Sequence, residues 1–349
     1  MTSAVLPPVA VVGGGLAGSL AALALAHRGF AVTLLAPPFA AEEREPAELG
    51  TATALSYGAL AGPASWQAWR DLEAVHGPLG LRAATLLRHG DPWLDRLPAG
   101  LQAWPSRLLG FGRVDPAALL AALPAALAAA GVQRQSAVVH SLEPRNRGWR
   151  LALDTATGPA TLHSARVVLA AGAGCHALWP GLPDRLRVSW AGVLTLPNVP
   201  AGPWPAHARH GRVVQPFHWQ RPLLEARAAC LQQEEWIVDA GLAPRDDGLV
   251  VGQVTLVRPG ASSGLPPDPA AMEERLRAGL RRLDPALATL TGTYRQVPVA
   301  FCVGGDPLVG PVPGAPGLWA FTGFSAAFSR VPLRAVDLAA AMAAEAAAG

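Results

Sequence analysis

The chain has 349 residues, 51% of them hydrophobic and 15% charged, with a formal net charge of +3 at pH 7. This length is sufficient for two domains, and the small positive charge is dispersed rather than gathered into the basic patch of a nucleic-acid-binding protein. No apolar run reaches the roughly 18 residues of a membrane-spanning helix, and the N-terminus lacks the basic segment of a secretory signal. We therefore expect a protein that binds neither nucleic acid nor membrane.

Cysteine usage adds an expectation about compartment and metal binding. Cys175, Cys230 and Cys302 are odd in number, far apart and without the spacing of metal ligands. Such a set is typical of a reduced, cytoplasmic protein without structural disulfides. The sequence predicts no metal site.

A strand, a glycine-rich turn and a helix begin the chain. Val9–Val12 is an apolar run of the kind that forms a buried parallel strand, and a helix is predicted at Ser19–His27. Between them lies a glycine fingerprint, Gly13, Gly15 and Gly18, in G-x-G-x-x-G spacing. The first glycine permits the tight turn, the second lets backbone approach a pyrophosphate, and the third lets helix and strand pack closely. The positive end of the helix favours a phosphate, although a glycine turn without a ligand is the alternative.

A second strand, Phe30–Leu35, completes a βαβ unit and favours dinucleotide binding over that alternative. The acidic residue that would bind the adenosine ribose is expected at the end of this strand. Ala36 occupies that position, and Pro37 and Pro38 follow it. Glu42–Glu43 could replace the acid only if the loop folds back, so the mode of ribose recognition is left open.

The rest of the chain alternates between helical and extended segments. Helices are predicted at Trp66–His76, Pro269–Leu283 and Val331–Ala347, and another begins with Asp115 as N-cap and Pro116 in the first turn. The predicted strands are Val132–Leu142, Trp149–Asp154, Ala165–Gly174 (a strand that stops at a second glycine turn), Leu186–Leu196, Arg212–Phe217, Leu223–Leu231, Glu235–Leu242, Leu249–Val257, Val297–Cys302 and Leu318–Phe324. The strands between residues 186 and 257 favour an antiparallel sheet.

Four different motifs follow one another along the chain. They are the glycine fingerprint, Val114–Pro116 at the start of a helix, Val168–Ala173, and Asp306–Pro311 followed by Gly317–Trp319 and Gly323. In this order they resemble the FAD-dependent amine and D-amino-acid oxidase superfamily, the group that includes glycine oxidase and sarcosine oxidase. Asp247–Gly252 also looks like a strand of the family's substrate domain.

The resemblance implies an α/β fold, with a Rossmann-like FAD-binding domain built on a parallel sheet and a second, mostly antiparallel substrate domain. The FAD-binding domain would comprise residues 1–76, 112–184 and 305–349, and the substrate domain residues 77–111 and 185–304. FAD contacts would come from the fingerprint, from a backbone group near the adenine and from turns after two later strands. The implied contact residues are Gly13, Gly15, Leu16, Ala17, Gly18, Ala36, Val139, Ala171, Gly172, Gly323, Phe324 and Ser325.

Several positions depart from the family pattern. Many members that use amino acids carry an arginine five residues before the position of Asp306, where it can pair with a substrate carboxylate; this chain has Phe301. The chain contains no lysine, although sarcosine-oxidase-type members use one near the flavin to help oxygen react. The Gly323 turn is shorter than in the family and lacks a further glycine. Cys302 lies near the position of covalent FAD attachment in some relatives, but its shorter spacing to Asp306 predicts non-covalent FAD.

Four residues are candidates for substrate contact: His218, Trp219, Phe301 and Arg330. For His218 the alternative is an ordinary core or surface histidine, and for Arg330 it is a cap for the turn before the last helix. Burying a carboxylate beside Phe301 without a cation is unfavourable. Glycine, sarcosine and small D-amino acids are therefore expected to be poor substrates and larger apolar amines better ones, unless Arg330 supplies the missing charge.

The resemblance implies an enzyme that oxidises the C–N bond of a small amine or amino-acid-like substrate by hydride transfer to flavin N5. Such chemistry needs no acid–base residue, in keeping with the absence of an obvious one. Two alternatives remain at this stage. One is an FAD dehydrogenase acting on a C–C or C–O bond, and the other is a degenerate flavin-binding protein without catalysis.

Overall fold

The computed structural model describes residues 6–37, 52–98, 100–103, 109–200, 202, 204, 207–208, 211–245, 248–262 and 264–348. The strands are β1 Val9–Val12, β2 Val32–Ala36, β3 Ala59–Leu60, β4 Leu81–Ala83, β5 Thr85–His89, β6 Gly112–Val114, β7 Gln133–Arg145, β8 Gly148–Thr155, β9 Gly158–Ser164, β10 Arg166–Leu169, β11 Leu186–Leu196, β12 Arg212–Pro216, β13 Glu235–Arg245, β14 Gly248–Val257, β15 Thr293–Cys302, β16 Leu308–Pro311 and β17 Leu318–Thr322. The helices are α1 Leu16–His27, α2 Ala52–Leu55, α3 Pro63–His76, α4 Pro116–Ala129, α5 Cys175–Leu178, α6 Arg221–Arg227, α7 Pro269–Leu283 and α8 Ala327–Ala348.

An eight-stranded sheet has the order β16-β17-β10-β1-β2-β7-β8-β9. The pairs from β17 through β10, β1 and β2 to β7 are parallel, and the outer strands join antiparallel. All four residues of β1 are buried, as expected of a central strand covered on both faces. Helices α1 and α8 share an apolar core with one face of this sheet. The α/β class and the parallel sheet predicted from the sequence are confirmed.

Local signals place α1 between β1 and β2. The helix is followed, after Arg28, by Gly29, whose φ of +91° suits the left-handed position that glycine adopts at low cost. The Gly29 N–H donates to the Ala26 carbonyl at 2.9 Å, and the Phe30 N–H donates to the Leu25 carbonyl at 3.2 Å. These bonds close the last turn and direct the chain into β2.

A six-stranded sheet has the order β15-β11-β14-β13-β12-β5 and is antiparallel except for the β12–β5 pair. One face packs on α7, where Trp190 and Leu194 share a core with Met272 and Leu276. We call the other face the inner face. Its central residues are Arg187, Ser189, Ala191 and Val193 of β11 and Val297, Val299 and Phe301 of β15.

A small sheet, β3-β6-β4, is formed by strands that lie between β2 and β7 in the chain. It leads into α4, where the Asp115 carboxylate accepts the N–H groups of Ala117 and Ala118 at 3.0 and 3.2 Å, as predicted for an N-cap. Within the segment 77–111, β4 pairs with β6 whereas β5 joins the six-stranded sheet. The domain boundaries given above stay a prediction.

Several segments differ from the sequence-based prediction. The prediction of a strand at Leu223–Leu231 is wrong, because helix α6 and a short 3-10 turn occupy this stretch. The Asp239 carboxylate stabilises the start of α6 by accepting the Gln220 and Arg221 N–H groups at 2.9 and 3.0 Å. Strand β9 was not predicted, and α8 begins at Ala327, one turn before the expected Val331. No helix in the described part of the chain is long and apolar enough to span a membrane.

Candidate active site

The residues predicted to bind FAD meet at one edge of the eight-stranded sheet. Val12, the last residue of β1, is in register with Leu35 and Leu169, and Leu169 is in register with Ala320 of β17. Because these strands are parallel, the turns that follow β1, β10 and β17 all leave the sheet on the same side. The Gly13, Ala171–Gly172 and Gly323 turns therefore share the carboxyl edge, where ligands bind in open α/β sheets.

The glycine fingerprint combines two tight contacts with one open position. A Cβ on Gly13, whose φ is +114°, would lie 2.4 Å from the Ala170 carbonyl oxygen, and a Cβ on Gly18 would lie 1.7 Å from the Gly13 carbonyl oxygen. A Cβ on Gly15 would meet nothing within 4 Å. Gly13 and Gly18 thus serve the turn and the helix–strand contact, while Gly15 faces unfilled space. That cradle fits the pyrophosphate of FAD.

The start of α1 is also suited to an anion. Gly15 is its N-cap without a side-chain cap, and the first turn contains no acidic residue. The Leu16 N–H donates to the Thr53 hydroxyl at 3.2 Å, which ties α2 to this helix end. Ala17 is half-buried beside them. The positive end of the helix therefore carries no competing carboxylate of its own.

The strands next to the fingerprint hold the remaining predicted contacts. Ala36 ends β2 against the fingerprint, since a Cβ on Gly14 would lie 2.4 Å from the Ala36 Cβ. Val139 is half-buried at an irregularity of β7, and Gly172 has a φ of +55° with open space around its Cβ position. The two glutamates at 42–43, considered as substitutes for the ribose-binding acid, lie outside the described residues.

The Gly323 turn packs against the ends of β11 and β15. A Cβ on Gly323 would lie 2.4 Å from the Cys302 sulfur and 3.1 Å from Leu186 Cδ1. The Phe324 ring points into the core with its centroid 4.8 Å from that of Phe321. Ser325 reaches the six-stranded half of the molecule, because its hydroxyl donates to the Glu225 carboxylate at 2.6 Å. The turn predicted to contact the flavin therefore also contacts α6.

The segment from α2 to Tyr57 connects the fingerprint to the inner face. Leu55 and Tyr57 pack with Val193 and Val250, and the Tyr57 hydroxyl donates to the Gly252 carbonyl. Burial raises the pKa of Tyr57 well above its ordinary value, because the apolar surroundings disfavour the phenolate. Tyr57 is therefore a neutral donor at physiological pH. We call the carboxyl edge of the eight-stranded sheet, with its Gly13, Ala171–Gly172 and Gly323 turns, the cofactor edge, since FAD is predicted to bind there. Together with the Thr53 contact described above, this packing places the inner face beside the cofactor edge.

The predicted substrate residues do not all converge. Phe301 is fully buried on the inner face, where Leu224 and Ala228 cover it. His218 is exposed, and its ring centroid lies 4.8 Å from that of Phe217. Trp219 is half-buried, and its indole N–H has no partner among the described residues.

Arg330 is paired with the chain that precedes β16. Its guanidinium donates to the Gly305 carbonyl and to the Asp306 carboxylate, the latter at 3.0 Å. These bonds connect the start of α8 to the chain before β16, whereas the alternative considered from the sequence was a cap for the turn before that helix. Its role as a substrate residue stays a prediction.

Sequence reasoning missed two charged residues on or near the inner face. Glu225 of α6 is 5% exposed and pairs with Arg221 at 2.7 Å, besides accepting the Ser325 hydroxyl. The signal was present in the sequence, since Pro222 is unfavourable in a strand and Arg221 and Glu225 have helical i,i+4 spacing. Arg187 of β11 is half-buried opposite Phe301. Its strand was predicted with the observed bounds, but only the pairing register shows its neighbour.

The fold and the glycine cradle are those of a dinucleotide-binding protein. The family model for FAD-dependent oxidoreductases matches residues 8–345, so the chain belongs to this family and its cofactor is FAD. No curated protein sequence matches the chain.

Several solved structures have the same fold. Glycine oxidase from Geobacillus kaustophilus is 19% identical, with a TM-score of 0.65 over 97% of this chain and 95% of that one. Iminodiacetate oxidase from Chelativorans sp. BNC1 is 19% identical, with a TM-score of 0.64 over 96% and 95%. L-Amino acid deaminase from Proteus myxofaciens is 14% identical, with a TM-score of 0.63 over 99% and 92%.

Proposed function

We propose that this protein oxidises the C–N bond of a small amine or amino-acid-like substrate. Membership of the FAD-dependent oxidoreductase family supports the redox class. The structural neighbours named glycine oxidase, iminodiacetate oxidase and L-amino acid deaminase support the choice of a C–N bond, since each of those names denotes an amine-containing compound.

The observation that carries the proposal is the apolar inner face beside the cofactor edge. Val193 and Val250 lie in one part of it, packed against Leu55, and Phe301 and Val257 lie in another part, packed against Leu224 and Ala228. An amine held against such a surface loses hydration, which disfavours its ammonium form. The neutral amine is the form whose nitrogen lone pair assists loss of a hydride from the neighbouring carbon.

The chain's own contribution is to bind, orient and dehydrate the substrate. Bound FAD supplies the hydride acceptor, its N5 atom. Tyr57 stays neutral and bonded to Gly252, so it fixes the wall of the site and adds no charge next to the amine. This role needs no dedicated acid or base, and positioning alone contributes a large part of such rate enhancements.

Anaerobic reduction of the bound flavin tests the proposal. The purified holoenzyme would be mixed without oxygen with a panel of primary and secondary amines, and separately with hydroxy acids and saturated acids. Bleaching of the flavin absorbance by amines alone is the expected result. Bleaching by hydroxy or saturated acids alone would show the C–O or C–C dehydrogenase instead. If dithionite reduced the flavin but none of the tested compounds did, the protein would be a flavin-binding protein without catalysis.

We further infer that FAD is held without a covalent bond to Cys302. The thiol is fully buried behind the Gly323 turn, and burial raises its pKa, so little of the nucleophilic thiolate forms. Acid precipitation should release all of the flavin into the supernatant. Yellow colour that remains with the precipitated chain would contradict this inference.

A further inference from the structure

We propose that Arg187 binds an anionic group of the substrate, a role that rests on the amine-oxidising function proposed above. The residue lies on β11 directly opposite Phe301 of β15. Paired residues in antiparallel strands project from the same face with their Cβ atoms about 5 Å apart. A guanidinium group therefore lies beside the apolar Phe301 side chain on the inner face.

Arg187 differs from the other arginines of this region in its pairing among the described residues. Nearby guanidinium groups are occupied: Arg221 pairs with Glu225, Arg330 with Asp306, and Arg185 donates to the Asp306 main-chain carbonyl. By contrast, Arg187 makes no hydrogen bond or ion pair with any residue that the structure describes, and its Nε atom is buried. Buried donors in native proteins almost always have an acceptor. A ligand oxygen would provide the missing one.

The position of Arg187 along its strand is appropriate for a substrate group. The preceding residue, Leu186, packs against the Gly323 turn, with Cδ1 only 3.1 Å from the Gly323 Cβ position. Successive residues of a strand are about 3.3 Å apart and point to opposite faces. Arg187 therefore begins next to the turn predicted to contact the flavin and projects onto the inner face.

The surroundings define the class of ligand. A guanidinium binds a carboxylate through two parallel hydrogen bonds, which gives it geometric preference as well as charge attraction. Its neighbours on the partner strand, Phe301 and Val299, are apolar, and the next inner-face residue of its own strand is Ser189. The pair of cation and apolar surface is suited to an amine that carries both a carboxylate and an apolar or aromatic group.

Benzoate, an unreactive aromatic carboxylate, tests anion binding without turnover. The holoenzyme would be titrated with benzoate while binding is followed by the flavin absorbance and by calorimetry. Arg187→Ala should weaken benzoate binding 10- to 100-fold, the range expected for a charge-assisted hydrogen bond, and Arg187→Lys should weaken it less. The matched control is Arg185→Ala, two residues earlier in the chain, which should change binding less than twofold.

A second measurement separates this inference from the proposed function. Reduction of the flavin by phenylalanine and by phenethylamine, which differ by the carboxylate, would be compared in the same variants. Arg187→Ala should slow reduction by the carboxylated member at least tenfold and leave the other within twofold.

The outcomes are distinguishable. The role of Arg187 would be overturned if the wild-type holoenzyme did not bind benzoate. It would also be overturned if Arg187→Ala enzyme with full FAD content bound benzoate as tightly as the wild-type enzyme. Benzoate binding that depends on Arg187, in an enzyme that no amine reduces, would support the anion site and refute the amine-oxidising function.

Discussion

The cofactor edge and the inner face are built in different ways. At the cofactor edge the shape comes from backbone: Gly13 and Gly18 stand where a Cβ would collide with a carbonyl, and Gly15 faces open space. On the inner face the shape comes from side chains of strands far apart in sequence, as in the Arg187–Phe301 pair. Backbone geometry is encoded by a few glycines at fixed spacing, whereas a side-chain surface depends on pairing register. A relative can therefore keep the first region and change the second.

The largest expected effect is at the open glycine of the cofactor edge. Gly15→Val should leave the apo fold intact, because nothing lies within 4 Å of the new Cβ and the Gly15 φ of −71° is accessible to any residue. The side chain would fill the space that the pyrophosphate needs, so FAD should be lost from the purified protein. The measurement is the ratio of flavin to protein absorbance, with circular dichroism to monitor the fold.

Gly18→Val is the contrasting variant. Its Cβ would lie 1.7 Å from the Gly13 carbonyl oxygen. This variant should therefore lose its folded structure as well as FAD. If Gly15→Val retained full FAD, or if both variants unfolded alike, the division of roles among the fingerprint glycines would be wrong.

The next effect concerns the contact between the two regions. Glu225→Ala leaves the half-buried Arg221 guanidinium without its partner and removes the acceptor of the Ser325 hydroxyl. Breaking a buried pair from one side typically costs about 3 kcal/mol of folding free energy. We expect a loss of this size in urea denaturation of the holoenzyme.

Glu234→Ala is the matched control for Glu225. Glu234 also pairs with an arginine, Arg258, but its side chain is 48% exposed. Exposed pairs contribute roughly 0 to 1 kcal/mol, so this variant should be close to wild type. Equal effects for the two glutamates would show that the contact between α6 and the Gly323 turn does not stabilise the protein.

These contrasts also explain how far the sequence could be interpreted. Strand β11 and helix α7 were predicted with their observed bounds, since a continuous apolar run and an amphipathic period are local signals. The helix α6 was mistaken for a strand although Pro222 and the Arg221–Glu225 spacing favour a helix; the carboxylate that accepts its first N–H groups, Asp239, lies on the following strand and gives no local signal. The cofactor edge could be predicted because the glycine spacing is itself a local pattern. The pairing of Arg187 with Phe301 could not be predicted, because it depends on the register of two strands far apart in the sequence.

A smaller effect is expected from the choice of substrate. Glycine, sarcosine and D-alanine offer almost no apolar surface to the region around Phe301, whereas an aromatic amino acid offers a ring. Burying such a side chain is worth about 2 kcal/mol, or roughly 30-fold in the rate constant for flavin reduction at limiting substrate. Anaerobic stopped-flow comparison of glycine with phenylalanine measures this ratio. Faster reduction by glycine would show that the apolar inner face does not select the substrate.

The smallest effect concerns a position where the cofactor edge departs from its glycine pattern. Ala326, after the Gly323 turn, has a φ of +53°, in the left-handed region that costs a non-glycine residue about 1 to 2 kcal/mol. Its carbonyl accepts the N–H groups of Ser329 and Arg330, which holds the residue in this conformation at the start of α8. Ala326→Gly should remove the strain, but the greater freedom of glycine in the unfolded chain offsets part of the gain.

We therefore expect Ala326→Gly to raise stability by roughly 0.5 to 1 kcal/mol, seen as a higher denaturation midpoint. The same substitution at Ala341, an exposed position inside α8, should lower stability by about 1 kcal/mol, because glycine is unfavourable within a helix. Opposite signs for one chemical change would show that backbone conformation, rather than loss of the methyl group, determines the result at position 326. Destabilisation by both substitutions would mean that Ala326 is not strained, and that the short turn is compatible with alanine as it stands.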